Sequence, residues 1–116
     1  TDGDIERYLV ELAATGIDAI QAIDPVAGMS IEACAALVGG RVCLCGNIDC
    51  GLLLTGSPTD IRESTIGLLE TMGRRRGFVL GASNAVQPMV PIDNYRAMAG
   101  ALADFSRRSA AMGSNP

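Results

Sequence analysis

The chain contains no lysine, no histidine and no tryptophan, and only 3% of its 116 residues are aromatic. Nine arginines face thirteen carboxylates, for a formal charge of −4. That balance argues against a nucleic-acid partner, because nonspecific affinity for phosphate backbones is carried by clustered cations. The one basic run, Arg74-Arg75-Arg76, reads as a solvated helix C-terminus whose cations suit the macrodipole, with an anion contact as the alternative. No apolar stretch approaches the roughly 20 residues of a membrane span, and no charged n-region followed by an apolar h-region opens the chain. The reading is a soluble, cytoplasmic protein with no membrane partner.

What is present is a pattern written three times. A short apolar run stops on a polar residue and is followed by an amphipathic stretch. The runs are Ala19-Ile20-Gln21-Ala22-Ile23 before Asp24, Val42-Cys43-Leu44-Cys45 before Gly46-Asn47-Ile48-Asp49, and Phe78-Val79-Leu80-Gly81-Ala82 before Ser83-Asn84. Strands that alternate with helices build a parallel sheet, and ligands of such sheets gather at the carboxyl ends of the strands. The candidate site residues on this ground are Asp24, Asn47, Asp49, Ser83 and Asn84.

Between the strands, the spacing of Ile5, Leu9, Leu12 and Ala13 predicts a helix over residues 4–15, ended by Gly16. Asp24-Pro25 opens a loop through Gly28. Ser30 then caps a helix whose Ile31, Cys34, Ala35 and Val38 form one face, and Gly39-Gly40 stops it. Ser57-Pro58-Thr59-Asp60 reads as an N-cap, a proline at the first helical position and an acid three residues after the cap. Ile61, Thr65, Leu68, Leu69 and Met72 make the inward stripe of that helix, which stops at Gly73. A long loop from Ser83 to Pro91 precedes a last helix carrying Tyr95, Met98, Leu102 and Phe105, with Tyr95 and Met98 read as core contacts. Residues 109–116 carry no apolar pattern and read as a flexible tail, leaving residues 1–108 as the domain.

Four cysteines, at positions 34, 43, 45 and 50, read as free thiols in a reducing compartment rather than a disulfide framework. Cys43 and Cys45 share one face of a strand and fill core. No histidine exists to complete a ligand set, so no metal is expected at these cysteines.

Three parallel strands would leave two edges unpaired, so something must cover them. A (β/α)₈ barrel averages about 250 residues, or roughly thirty per unit. The chain therefore has the size of three closing units plus the preceding crossover helix, and its pattern begins on a strand's exit turn, as a piece of a larger protein would. A small doubly wound domain is the competing architecture, but no Gly-x-Gly-x-x-Gly loop follows any strand to cradle a phosphate.

Five segments together resemble a family: Thr1-Asp2-Gly3-Asp4; Gly16-Ile17-Asp18-Ala19 with Asp24-Pro25; Gly46-Asn47-Ile48-Asp49; Gly81-Ala82-Ser83-Asn84; and Val90-Pro91-Ile92-Asp93-Asn94-Tyr95-Arg96-Ala97-Met98. In this order, and up to about Arg107, the chain resembles the C-terminal part of the uroporphyrinogen decarboxylase superfamily. That superfamily also contains methyltransferases that move methyl groups between corrinoids and thiols. The resemblance implies an α/β fold, the C-terminal part of a TIM (β/α)₈ barrel with about three βα units, and an active site at the strand C-termini.

In the decarboxylase branch, the loop after the final strand typically reads Asn-Leu-Gly-His-Gly. Here the corresponding Gly81-Ala82-Ser83-Asn84-Ala85-Val86 has no histidine, so the resemblance leans toward corrinoid-linked methyl transfer. In the methyltransferase branch a His-x-Cys-Gly motif and a later cysteine hold zinc; Asp2 and Asn84 stand where those thiolates would be, replacing soft ligands by oxygen groups. The expected set is therefore Asp2, Asp49 and Asn84 as catalytic residues and Asp24, Asn47 and Ser83 as substrate contacts. Asp2 has a helix N-cap as its alternative role, and Asp24 a turn-forming one. The cofactor expectation is a corrinoid partner, with zinc in question, for a methyltransferase and none for a decarboxylase. The partners implied are a small-molecule or tetrapyrrole substrate, a corrinoid protein, and the remainder of the barrel or a homo-oligomer partner over the open edges. Uroporphyrinogen decarboxylation is the alternative activity, and a noncatalytic barrel remnant or interaction module the alternative of another class.

Overall fold

The computed structural model describes residues 3–113. Three strands, β1 (Ala19–Gln21), β2 (Cys43–Ile48) and β3 (Phe78–Ala82), form one parallel sheet in sequence order. Ile20 stands opposite Leu44, and Leu44 opposite Phe78. A doubly wound sheet reverses strand order at a switch point. Among the described residues this sheet has no reversal, and its consecutive order is that of a (β/α)₈ barrel arc.

The helices lie over one face of the sheet. Ile20, Leu44 and Ile48 point to that face and are buried, whereas Ala19 and Gln21 are exposed and Cys43, Cys45 and Asn47 half-buried on the other. The expectation that Cys43 and Cys45 fill core is thus corrected: both are half-buried, because among the described residues the helical layer covers the opposite face. The molecule is a slab of 39 × 38 × 18 Å. Among the described residues no further strand pairs with the outer edges, and Val79 on β3 is 54% exposed.

The helix boundaries follow their caps. Helix α1 (Leu9–Ala14) is shorter than predicted, because residues Glu6–Tyr8 form a single 3₁₀ turn and the Asp4 carboxylate accepts from the Glu6 N–H at 2.9 Å. Helix α2 (Ile31–Val38) starts on Ser30, whose hydroxyl accepts from the Ala33 N–H at 3.2 Å, and stops at Gly39 with φ +59°. A six-residue helix, α3 (Cys50–Thr55), falls where no helix was predicted. Helix α4 (Pro58–Met72) carries the predicted capping box: Ser57 Oγ accepts from the Asp60 N–H at 3.1 Å, and the Asp60 carboxylate accepts from the Ser57 N–H at 2.9 Å. Its stripe of Ile61, Thr65, Leu68, Leu69 and Met72 is buried throughout.

Helix α5 (Ile92–Ala111) runs past Ser109 into the segment expected to be a tail, since alanines keep propensity high where the apolar stripe has faded. Met98 is buried, but Tyr95 and Leu102 are 43% and 38% exposed, so the expectation of Tyr95 as a core contact is corrected. Arg62 bonds Asp104 at 2.5 Å and joins α4 to α5, and Arg107 bonds the same carboxylate. At the strands' amino end Arg75 is more than a solvated cation: its guanidinium donates to the carbonyls of Gly39 and Gly77, tying the ends of α2 and α4 together. No described helix is long and apolar enough to cross a membrane.

Candidate active site

All three strands are parallel, so their exits share one rim. Gly46 brings the first two exits close: a Cβ at this residue, whose φ is +146°, would lie 3.6 Å from the Ile23 carbonyl oxygen. After β1, Ala22 adopts φ +63°, a left-handed conformation that costs a non-glycine residue about 1 kcal/mol. The chain then turns on Asp24, whose carboxylate accepts from the Val26 N–H at 3.0 Å and caps the 3₁₀ turn Pro25–Ala27. Asp24 therefore performs its turn-forming role.

Asn47 belongs to the last residues of β2, which runs to Ile48 rather than ending at Cys45 as expected. Asn47 pairs in register with Gly81 and is half-buried. A Cβ on Gly81 would have nothing within 4 Å, so the space beside Asn47 is open. Asp49 follows as the N-cap of α3, accepting from the N–H groups of Gly51 at 2.6 Å and Leu52 at 3.4 Å. Both bonds go to Oδ1.

The exits of β2 and β3 are knitted together by groups from both. The Ser83 N–H donates to the Ile48 carbonyl at 2.7 Å, and the buried Ser83 hydroxyl accepts from the Cys50 N–H at 3.4 Å. The Asn84 N–H donates to the Cys50 sulfur at 3.2 Å, and the Asn84 side-chain oxygen accepts from the Ala85 N–H at 2.7 Å. The structure therefore brings Asp49, Ser83 and Asn84 together, with Asn47 one strand position below and Asp24 across Gly46. Asp2 lies outside the described residues.

Three contributors were not among the candidates read from the sequence. Cys50 stands at the centre of the knot, and its signal was the sequence Asp49-Cys50-Gly51-Leu52-Leu53-Leu54, an N-cap followed by helix-forming leucines that could have been read as α3. Tyr95 and Gln21 were the others. They line an open cleft of about 490 Å³ beside the rim, with Cys45, Asn84 and Met98.

The thiols differ by environment. Burial pushes the Cys34 thiol up to about 11, and burial with the neighbouring Cys43 raises that of Cys45. All four cysteines are free. Cys43 and Cys45 lie on the sheet's open face while the Cys50 sulfur is engaged at the rim, so the three do not converge. Among the described residues no three Cys, Asp or Glu side chains converge on a point where an ion could sit. Zinc asks for three or four such donors. The described rim does not fit it; the groups gathered there are amide, hydroxyl, thiol and the Asp49 carboxylate.

Comparison with known proteins agrees with this architecture. The family model described as Uroporphyrinogen decarboxylase (URO-D) matches residues 1–105. A protein of Coxiella burnetii named uroporphyrinogen decarboxylase is 31% identical over 100 residues, which are 86% of this chain and 27% of that protein. A Vibrio campbellii protein of the same name is 33% identical over 101 residues, again 86% of this chain and 27% of its own length. The chain thus spans about a quarter of the length of the curated relatives it matches. Among solved structures, a methyltransferase from Methanosarcina mazei superposes with a TM-score of 0.77 at 24% identity, over 90% of this chain and 30% of that one. This last likeness is one of fold.

Proposed function

We propose a function from one premise: the chain belongs to the uroporphyrinogen decarboxylase family. In our reading it is the closing arc of a barrel enzyme of that superfamily, and its strand-exit rim is one wall of the active site. Asn84 and Asn47 hold a polar edge of the substrate, the buried Ser83 ties the β3 exit to Cys50, and Asp49 fixes the backbone that carries Cys50. The groups that break bonds come from the remainder of the barrel, Asp2 being the candidate carboxylate this chain contributes to them.

Within the superfamily the rim favours methyl transfer on a corrinoid partner protein. The observation that carries this is the β3 exit: Ser83 and Asn84 are built into a hydrogen-bonded knot with Cys50, and the chain has no histidine to supply an imidazole there. A neutral amide orients a ligand and does not exchange protons near neutral pH. A second reading, decarboxylation of uroporphyrinogen, is favoured by the identity of 31–33% to proteins of that name. The open strand edges take the rest of the barrel as partner.

The test is to assay the full-length enzyme for methyl transfer from methylcobalamin to a thiol and for CO₂ release from uroporphyrinogen. Methyl transfer without CO₂ release is the expected result. CO₂ release alone selects the second reading. Neither activity, together with an open reading frame that lacks the other barrel units, would make the chain a noncatalytic remnant.

A further inference from the structure

Helix α3 cannot hold itself in place. Six residues span only about 9 Å, and isolated helices shorter than roughly 12 residues are marginal in water. At its start Asp49 supplies acceptors for two N–H groups. Its other end leaves carbonyl oxygens without helical partners, and these turn inward beside Leu53, which is fully buried.

Those carbonyls are met from α5. Asn94, 1% exposed, donates through Nδ2 to the Leu53 carbonyl at 2.9 Å and to the Gly56 carbonyl at 2.8 Å. Two carbonyl neighbours fix which end of the amide is the nitrogen. An apolar side chain would leave both oxygens unsatisfied, and a carboxylate would set negative charge against them. The turn Asn94 grips is also sterically defined: a Cβ on Gly56 would lie 2.7 Å from the Leu52 oxygen. Asn94 is itself placed by the first turn of α5, where its N–H donates to the Pro91 carbonyl at 3.0 Å.

We propose that Asn94 is a positioning residue of the rim: by gripping the carbonyl end of α3 it fixes where Cys50, at the opposite end, meets Ser83 and Asn84. The catalytic consequence rests on the reading of that rim as active-site wall; the mechanical claim does not. Releasing Asn94 frees the carbonyl end of α3, and because six residues move as one short rod, Cys50 in its first turn loses its fixed place against Ser83 and Asn84. A misplacement of about 1 Å at a reacting centre is enough to lower turnover strongly.

The experiment uses the full-length enzyme carrying Asn94→Ala and Asn94→Ser, the latter keeping one donor. Alkylation by iodoacetamide is followed cysteine by cysteine by mass spectrometry, alongside kcat and KM in whichever of the two assays is positive. The expected result for Asn94→Ala is selective several-fold faster labelling of Cys50 with Cys34 unchanged, and kcat reduced about tenfold with KM little altered, as for loss of transition-state positioning. Asn94→Ser should restore part of both. Labelling and kcat at wild-type values overturn the proposal. So does a uniform rise in labelling at Cys34 and Cys50, which would make Asn94 a general core strut. Should Asn94→Ala not fold, Asn94→Ser decides by the same readouts. An enzyme inactive in both assays ends the reading of function, while the labelling pattern still decides the role of Asn94.

Discussion

The two ends of the strands are stabilised by opposite chemistry. At the carboxyl ends, backbone N–H groups are satisfied by Asp24, Asp49, Ser57 and Asp60. At the amino ends, backbone carbonyls take arginine: Arg41 donates to the Val38 carbonyl at 3.1 Å, and Arg75 to Gly39 and Gly77. The asymmetry follows from chain direction. Helices return antiparallel to the strands they follow, so their N–H-rich ends crowd the rim and their carbonyl ends crowd the base. Carboxylates at a strand exit are therefore ambiguous by construction, since the place where a barrel does chemistry is also where its helices need caps. Asp24 and Asp49 each cap through Oδ1. In the proposed reading the amides of Asn47 and Asn84 face the ligand, while Ser83, 1% exposed, and Cys50 hold the two strand exits together.

The largest expected effects come from two glycines, one near each end. A Cβ at Gly73, below α4, would lie 2.5 Å from the Leu69 oxygen and 2.7 Å from the Phe105 ring. Gly73→Ala should cost about 1–3 kcal/mol as overpacking, against up to about 1 kcal/mol regained from a stiffer unfolded chain. Chemical denaturation of the full-length enzyme measures this, and kcat per folded molecule should not change. Gly56→Ala, which strains the turn after α3, should show a comparable loss of stability together with a loss of kcat. Equal kinetic effects at both positions would erase the distinction between the ends.

Next is the cap itself. Asp49→Ala should destabilise by about 0.5–2 kcal/mol and Asp49→Asn by much less, because an amide oxygen still caps. If kcat follows stability across the pair, Asp49 acts by positioning. If Asp49→Asn is stable yet inactive, its charge takes part in the chemistry.

Smaller effects appear as pH flanks. Cys34 keeps its proton up to about 11 in the folded chain against 9.0 when unperturbed. The unfolded chain thus loses a proton first, and stability should fall as pH rises above about 9. A flatter alkaline flank in Cys34→Ala, read from Tm against pH, would show it. On the acid side, the backbone and hydroxyl of Ser57 hold the Asp60 carboxyl below 3.8. Its contribution is present above that value and lost as pH falls through the lower folded one, so Asp60→Asn should slightly flatten the acid flank.

Much of this was legible in the residues. Ile20, Leu44 and Phe78 announced three strands, and Ser30, Ser57 and Asp60 announced two helix starts, because period and cap are local signals. The rim was legible as a place, since parallel strands put Asp49, Ser83 and Asn84 at one end whatever their side chains do. What the residues did not show was duty. Whether Asp49 faces a ligand or the N–H groups of Gly51 and Leu52 depends on α3, whose far end is bonded by Asn94, 41 positions away from Leu53. Tyr95, Cys43 and Cys45 were misjudged for a related reason: burial depends on which layer packs over a residue, which a local pattern does not carry.

The central claim is that the carboxyl-end rim, and not the base, is where this arc meets the chemistry. Its most direct test is kcat/KM of the full-length enzyme bearing Asn84→Ala beside the enzyme bearing Arg75→Ala. The account predicts a loss on the order of tenfold to a hundredfold for Asn84→Ala, as for removal of an orienting polar group, with Arg75→Ala near wild type once corrected for the folded fraction. Full activity in Asn84→Ala, or a loss in Arg75→Ala as large as that in Asn84→Ala, would contradict it.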